Sequence, residues 1–139
     1  MNIVKEIRKV FEPIIRERYP DESKNAEYHT MIKQTADSTN GDYQLNFAMP
    51  LSKLLKIDSK VVATNFKDFV ATLKQINYTA PHEEAVAQLQ LGMWLAGNEI
   101  FHSFELLPVA EKGPGFLNLR LKDAWLAAKL REVAVDSRL

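Results

Sequence analysis

The sequence predicts an α+β domain in which helices surround a small antiparallel sheet. Two observations carry this prediction. In several stretches apolar residues recur every three or four positions, as they do along the buried face of a helix. The alternating run FLNLRL at 116–121 follows the turn sequence EKGPG and is typical of one strand of a hairpin.

The first helix and the first strand are predicted from the opening third of the chain. The apolar positions of 3–15 lie at helical spacing, and we expect Pro13 to bend this amphipathic helix and Pro20 to end it. YHTMIKQT, at 28–35, has the composition of a short strand, and the turn-rich ADSTNG follows it.

The middle of the chain is predicted to be helical. DYQLNFAMPLSKLLK, at 42–56, is interpreted as a second helix that starts near Asp42, with a kink or a late start at Pro50. Asp58 or Ser59 is expected to cap a third helix. The predicted core stripe of that third helix consists of Val62, Phe66, Phe69, Leu73 and Ile76. The predicted stripe of a fourth consists of Val86, Leu89, Met93, Ala96 and Ile100.

A hairpin and a closing helix are predicted at the C-terminal end. FHSFELLPVA, at 101–110, resembles a strand, 116–121 returns beside it, and KDAWLAAKLREVAV is interpreted as a helix. Period-two alternation sends the leucines of 116–121 to one face, which we expect to be buried. The opposite face carries Phe116, Asn118 and Arg120.

Composition bounds what this domain can do. The chain has 139 residues, 46% of them hydrophobic, which predicts one domain over 1–139. The absence of cysteine excludes disulfides, thiolate metal sites and a cysteine nucleophile. Because 18 Lys and Arg residues balance 18 Asp and Glu residues, any contact with a polyanion requires a local patch. The sequence has no secretory signal and no apolar run of transmembrane length, so we expect a cytoplasmic protein.

The sequence offers little for catalysis. His29, His82 and His102 stand far apart with no second ligand at a metal-binding spacing. The glycines of GPG are not followed by the Lys and Ser or Thr of a phosphate-binding loop. We therefore predict neither a metal site nor an independent enzyme.

Two short motifs are each common on their own but together indicate one protein family. GDYQLNFAM occupies 41–49 and GPGFLNLRL occupies 113–121. With a helix before them, helices between them and an apolar helix after them, the chain resembles the N-terminal additional domain of arginyl-tRNA synthetase over essentially its whole length. The motif positions themselves are Gly41, Asp42, Tyr43, Gln44, Gly113, Pro114 and Gly115.

The resemblance implies a tRNA-binding module without catalysis of its own, in a parent arginine–tRNA ligase. Such a domain touches the D-loop at the outer corner of arginine tRNA. The resemblance assigns ATP and Mg²⁺ to the catalytic domain, whose H-x-G-H signature does not occur here, so no cofactor is expected in this domain. The expected partners are arginine tRNA and the protein's own catalytic domain, with the chain itself a monomer.

The resemblance also implies which residues meet the tRNA. Phe116 and Asn118 match the hairpin positions that contact the D-loop, through a ring that stacks on an unstacked base and an amide that reads its edge. Lys112 and Arg120 would add phosphate contacts. The alternatives are that Phe116 packs under a helix, that Asn118 caps a loop and that the two cations are merely solvated.

The first motif is interpreted as structural, with direct contact to RNA as the alternative. Gly41 would permit a turn, Asp42 would cap or charge a helix start, and Tyr43 and Gln44 would dock that helix against the sheet.

A protein–protein docking module is the alternative function. The segment 77–103 is longer than in bacterial relatives and supplies an extra helix. Met93, Trp94 and Leu95 are consecutive and cannot all face one core, although Trp94 could still lie inside it. An exposed member would let 82–100 bind another protein of a synthetase assembly.

Overall fold

Helices and strands alternate along the described part of the chain. The computed structural model describes residues 2–24, 26–36, 41–75, 86–110, 115–123, 125, 127–128 and 131. The helices are α1 (Ile3–Arg18), α2 (Ala48–Leu55), α3 (Ser59–Gln75) and α4 (Val86–Ala96), with 3₁₀ turns at Glu22–Lys24 and Tyr28–Met31. The strands are β1 (Ile32–Gln34), β2 (Tyr43–Leu45), β3 (Phe104–Leu106) and β4 (Leu117–Leu121). Asp123, Trp125, Ala127, Ala128 and Arg131 are also helical, as predicted for the C-terminal segment.

The four strands form one antiparallel sheet in the order β1-β2-β4-β3. The chain leaves β2 through α2, α3 and α4, enters the far edge of the sheet as β3, and returns as β4 between β3 and β2. β4, the last of the described strands along the chain, is therefore one of the two central strands of the sheet. The small antiparallel sheet and the helices around it confirm the predicted α+β class.

The core lies between the sheet and the helices. Leu117, Leu119 and Leu121 are at most 2% exposed, so the predicted leucine face of the hairpin strand is confirmed. The rings of Phe11 on α1 and Phe104 on β3 have centroids 5.3 Å apart. Burial of these side chains joins α1 to the central and edge strands, and hydrophobic burial is the main stabilising term for such a packing.

α1 and α3 follow their sequence patterns closely. The side chain of Asn2 accepts a hydrogen bond from the Lys5 amide at 3.2 Å and caps α1, which contains Pro13. The side chain of Asp58 accepts from the Lys60 amide at 2.7 Å, so Asp58 caps α3. Most of the predicted α3 stripe is buried, with Phe69 half-buried. Its last member, Ile76, lies outside the described residues.

The helix predicted over 42–56 is wrong in its first half. Tyr43–Leu45 is the strand β2, and α2 begins only at Ala48. Pro50 is the third residue of α2, where the amide that proline lacks would have no acceptor within the helix. Of the two expectations for Pro50, the late start is therefore the one observed. Likewise, the strand expected over 28–35 is limited to Ile32–Gln34.

The stripe predicted for α4 is wrong at Met93 and Ala96, which are exposed, while Leu95 is fully buried instead. Ile100 is buried as predicted but lies after the end of the helix. The side chains of Val86 and Leu89 lie outside the described residues. Trp94 is 48% exposed, so it does not lie inside the core. α4 is apolar on several sides, and periodicity alone could not show which of its faces packs on α1 and α3.

The end of α3 is tied to β3 through Lys74. Its Nζ donates to the carbonyl oxygen of Phe104 at 2.9 Å and lies 4.2 Å from the centroid of the Phe104 ring. Lys74 is exposed overall, but its ammonium is turned against these groups. Burial of the ammonium, together with the charge of Lys122, lowers the pKa of Lys74 to about 8, while Glu105 opposes the shift.

This lowered pKa predicts a stability that rises with pH. Between pH 8 and the ordinary pKa of 10.5, the unfolded chain binds more protons at Lys74 than the folded chain, so the free energy of unfolding increases. We expect a gain of about 1 kcal/mol between pH 7 and 9.5 after allowing for solvent screening. Urea unfolding of wild type and of Lys74→Met across this pH range measures the gain. If the free energy of unfolding of the variant rises with pH as steeply as that of wild type, Lys74 is not its cause.

Within the described part of the chain, no helix is long and apolar enough to cross a membrane.

Candidate RNA-binding surface

The outer face of the sheet carries a row of polar side chains. Lys33 of β1 pairs with Gln44 of β2, and Gln44 pairs with Asn118 of β4. Lys33 is exposed and the other two side chains are half-buried. Because residues that pair directly point to the same face, these three side chains form one row across the sheet, opposite to the leucines of the core.

A hydrogen bond joins the two amides of this row. Nε2 of Gln44 donates to Oδ1 of Asn118 at 3.0 Å, although 74 positions separate the two residues. Each primary amide has one carbonyl and one NH₂ group. The bond leaves Nδ2 of Asn118 to donate and Oε1 of Gln44 to accept elsewhere. The pair therefore presents a donor and an acceptor side by side, which suits the edge of a nucleobase.

Arg120 lies on the same face as Asn118, since residues two apart on a strand point the same way, and Phe116 stands immediately before the first residue of β4. Phe116 is half-buried, and within the described residues it does not belong to the side chains packed on the core. Arg120 is half-buried and pairs in register with the exposed Glu105 of β3. The carboxylate of Glu105 offsets the positive charge of Arg120 at this end of the face. Lys112, Gly113 and Pro114 lie outside the described residues.

The first glycine motif, at the start of β2, connects that strand to β4. Gly41 has φ +99°, and a Cβ there would lie 2.8 Å from the carbonyl oxygen of Leu119. The amide of Asp42 donates to that same oxygen at 2.8 Å. Oδ2 of Asp42 accepts from the Leu121 amide at 2.8 Å. Asp42 thus binds β4 and does not cap a helix, contrary to the sequence prediction, because no helix begins there.

Tyr43 and Gln44 point to opposite faces of β2. Tyr43 packs against the core, and its burial raises the pKa of its hydroxyl. Gln44 faces outward to Asn118. Neither residue docks a helix on the sheet, as the helical interpretation of this segment had required.

The second glycine motif meets the start of α3. Gly115 has φ +80°, and a Cβ there would lie 2.7 Å from the carbonyl oxygen of Ser59 and 2.9 Å from the amide nitrogen of Lys60. The chain therefore passes directly over the first turn of α3 immediately before Phe116. Only a residue without a side chain fits this approach.

Sequence reasoning missed Lys33 as a member of the surface and misplaced Gln44. A signal for Gln44 was present, because Tyr43, Leu45 and Phe47 alternate with Gln44 and Asn46, the period of a strand. For Lys33 no usable signal existed, since a strand of three residues is too short to show a period. Within the described residues, no group of three His, Cys, Asp or Glu could hold a metal ion.

Comparison with known proteins points to one family. The family model described as arginyl tRNA synthetase N terminal domain matches residues 2–81. The chain is similar to an arginine–tRNA ligase of Rhodopirellula baltica, at 31% identity over 114 residues that cover 82% of this chain and 12% of the relative. It is also similar to the arginine–tRNA ligases of Pseudoalteromonas atlantica, at 32% identity, and Colwellia psychrerythraea, at 34%. These two alignments cover 71% and 69% of this chain and 12% and 11% of the relatives, so the chain spans about an eighth of the length of the curated relatives it matches.

Proposed function

Because the chain belongs to the family of arginyl-tRNA synthetase N-terminal domains, we propose that it binds the D-loop of arginine tRNA with the outer face of its sheet. In this proposal the domain has no catalytic role and no cofactor of its own, and it assists aminoacylation by a parent arginine–tRNA ligase. Its partners are arginine tRNA and the catalytic domain of that ligase.

The observation that carries this proposal is the amide pair of Gln44 and Asn118 with Phe116 beside it. Bases in an RNA loop are unstacked, so a base can lie on the Phe116 ring while its edge meets the donor and acceptor of the pair. Lys33 extends the row with an exposed cation for a phosphate. Arg120 contributes less charge than the sequence suggested because Glu105 stands opposite. Lys112 remains a predicted phosphate contact.

The proposal predicts that two side chains control tRNA affinity. We expect Phe116→Ala to weaken binding by about 1–3 kcal/mol, the range for one stacked base, which corresponds to roughly 5- to 150-fold. We expect Asn118→Ala to cost about 1 kcal/mol, or about fivefold, because it removes the donor and half of the amide pair. The measurement is a titration of the chain with arginine tRNA and with a transcript altered only in its D-loop.

Gln90→Ala provides a matched control for Gln44→Ala. Both substitutions remove a glutamine amide, but Gln90 is exposed on α4, outside the sheet surface. Only Gln44→Ala is expected to weaken binding. The proposal fails if Phe116→Ala and Asn118→Ala bind as wild type does, or if the D-loop change has no effect on wild-type affinity.

A docking module for another protein of a synthetase assembly is the second candidate, and one observation favours it. Met93 and Trp94 are adjacent on α4 and are 57% and 48% exposed, and α4 lies beyond the residues that the family model matches. The same titration separates the candidates when Trp94→Ala is included. Normal tRNA binding by this variant together with loss of assembly in a pull-down with the other synthetase proteins would support docking.

A further inference from the structure

Three lysines within eight residues, 53–60, surround the connection from α2 to α3, which meets the end of the sheet where β2 stops and β4 begins. Leu45, the last residue of β2, pairs with Leu117, the first residue of β4. α2 begins three residues after Leu45, and Gly115 lies against the backbone of Ser59 at the start of α3. The connection between α2 and α3 is therefore close to Phe116.

This connection is positively charged in a chain that is neutral overall. Residues 53–60 contain Lys53, Lys56 and Lys60, and their single acidic residue is Asp58. Lys53 and Lys56 are exposed and Lys60 is half-buried. One carboxylate oxygen of Asp58 accepts from the Lys60 amide, which places the aspartate at the α3 cap. In a chain with no net charge, such a local excess is what attracts a polyanion.

Lys56 occupies a backbone position that favours glycine. It follows the end of α2 in the left-handed region, with φ 58° and ψ 40°, and its amide donates to the carbonyl oxygen of Ser52. Glycine is the usual residue at such a helix end, and a residue with a side chain is less stable there. Lysine at this position thus costs stability, and a strained backbone of this kind is common at binding sites.

We propose that Lys53, Lys56 and Lys60, here named the lysine corner, bind the phosphate backbone of the tRNA next to the base held at Phe116. This inference rests on the proposed function and extends its surface from the sheet to the α2–α3 connection. The lysine corner supplies affinity and orientation, while Phe116 and the amide pair supply base recognition.

Lys56→Gly tests the proposal without damaging the fold, because glycine suits the positive φ. We expect the variant to unfold at the same or a higher temperature than wild type. We expect its tRNA affinity to fall. We also expect the negative slope of log K against log salt concentration to become less steep by about 0.7–0.9, the value for one lost phosphate contact. Lys24→Ser, which removes an exposed lysine paired with Asp21, is expected to leave the slope unchanged.

Leu54→Ser tests a different occupant of the same corner. Leu54 and Ile57 are exposed between the lysines, Val61 is exposed directly after Lys60, and these apolar side chains would suit a protein partner. If the lysine corner binds RNA phosphate, Leu54→Ser leaves tRNA affinity and the salt slope unchanged.

Each outcome of this series has one meaning. A smaller slope for Lys56→Gly, with Lys24→Ser and Leu54→Ser as wild type, supports the lysine corner. If Phe116→Ala weakens binding but Lys56→Gly keeps the wild-type slope, the lysine corner is overturned and the proposed function stands. If wild type does not bind arginine tRNA at all, both are overturned.

Discussion

Replacing Phe66 with alanine is expected to lower the free energy of unfolding by about 3–5 kcal/mol, the range measured for large aromatic truncations in protein cores. Phe66 on α3 is fully buried. Its ring centroid lies 4.9 Å from that of Phe47, 6.1 Å from Phe11 and 6.4 Å from Tyr19. One ring therefore joins α1, α3 and the segment that enters α2, so the substitution removes contacts with all three.

Urea unfolding followed by circular dichroism measures this loss, and Phe69→Ala is the matched control. Phe69 lies three residues further along α3 and is only half-buried against the core. We expect its truncation to cost about 1–2 kcal/mol, because folding removes less apolar surface from water at Phe69 than at Phe66. Equal losses for the two variants would show that Phe66 is not the centre of the aromatic core.

Replacing Gly115 with alanine is expected to cost about 2–5 kcal/mol. Positive φ makes a side chain unfavourable by about 1–2 kcal/mol, and the overlap of Cβ with the Ser59 and Lys60 backbone adds about 1–3 kcal/mol. The atoms that the new Cβ would meet are all main-chain atoms, which cannot move aside as a flexible side chain can. To accommodate the new Cβ, the segment that enters β4 and the start of α3 must move apart.

Gly97→Ala is the control for a glycine that is not required. The nearest atom to a Cβ at Gly97 is the carbonyl oxygen of Trp94, at 3.8 Å, an ordinary van der Waals separation. We expect a change within about 0.5 kcal/mol, the usual range for a surface substitution. Thermal unfolding of the two variants compares them directly. A Gly115→Ala protein as stable as Gly97→Ala would mean that the contact with α3 is loose.

The Gly115 contact also links stability to the proposed function. Phe116 follows Gly115 directly, and the lysine corner is on the other side of the same contact. A close approach without a side chain brings the proposed stacking ring and the proposed phosphate-binding lysines onto neighbouring surfaces. For Gly115→Ala we therefore expect the loss of tRNA affinity to exceed that of Gly97→Ala in the same titration.

Local patterns in the sequence determined much of this fold. α1 could be predicted because its apolar residues keep helical spacing up to the proline that follows, and α3 because Asp58 caps a long amphipathic stripe. β4 could be predicted with its buried face, because strict alternation over five residues leaves one phase compatible with a core. Each of these signals depends only on residues that are close together in the chain, so it can be recognised without knowing the tertiary contacts.

The tertiary structure alone decided the rest. Pairing with β4 makes Tyr43–Leu45 a strand, since the hydrogen bonds and burial gained in a central sheet outweigh a helical preference in a short segment. The outward row of Lys33, Gln44 and Asn118 exists only because three distant strands come into register. α4 likewise buries Leu95 and exposes Trp94 according to where α1 and α3 stand. Contacts between residues far apart in the chain leave no local period, so the members of the candidate site became neighbours only in the folded protein.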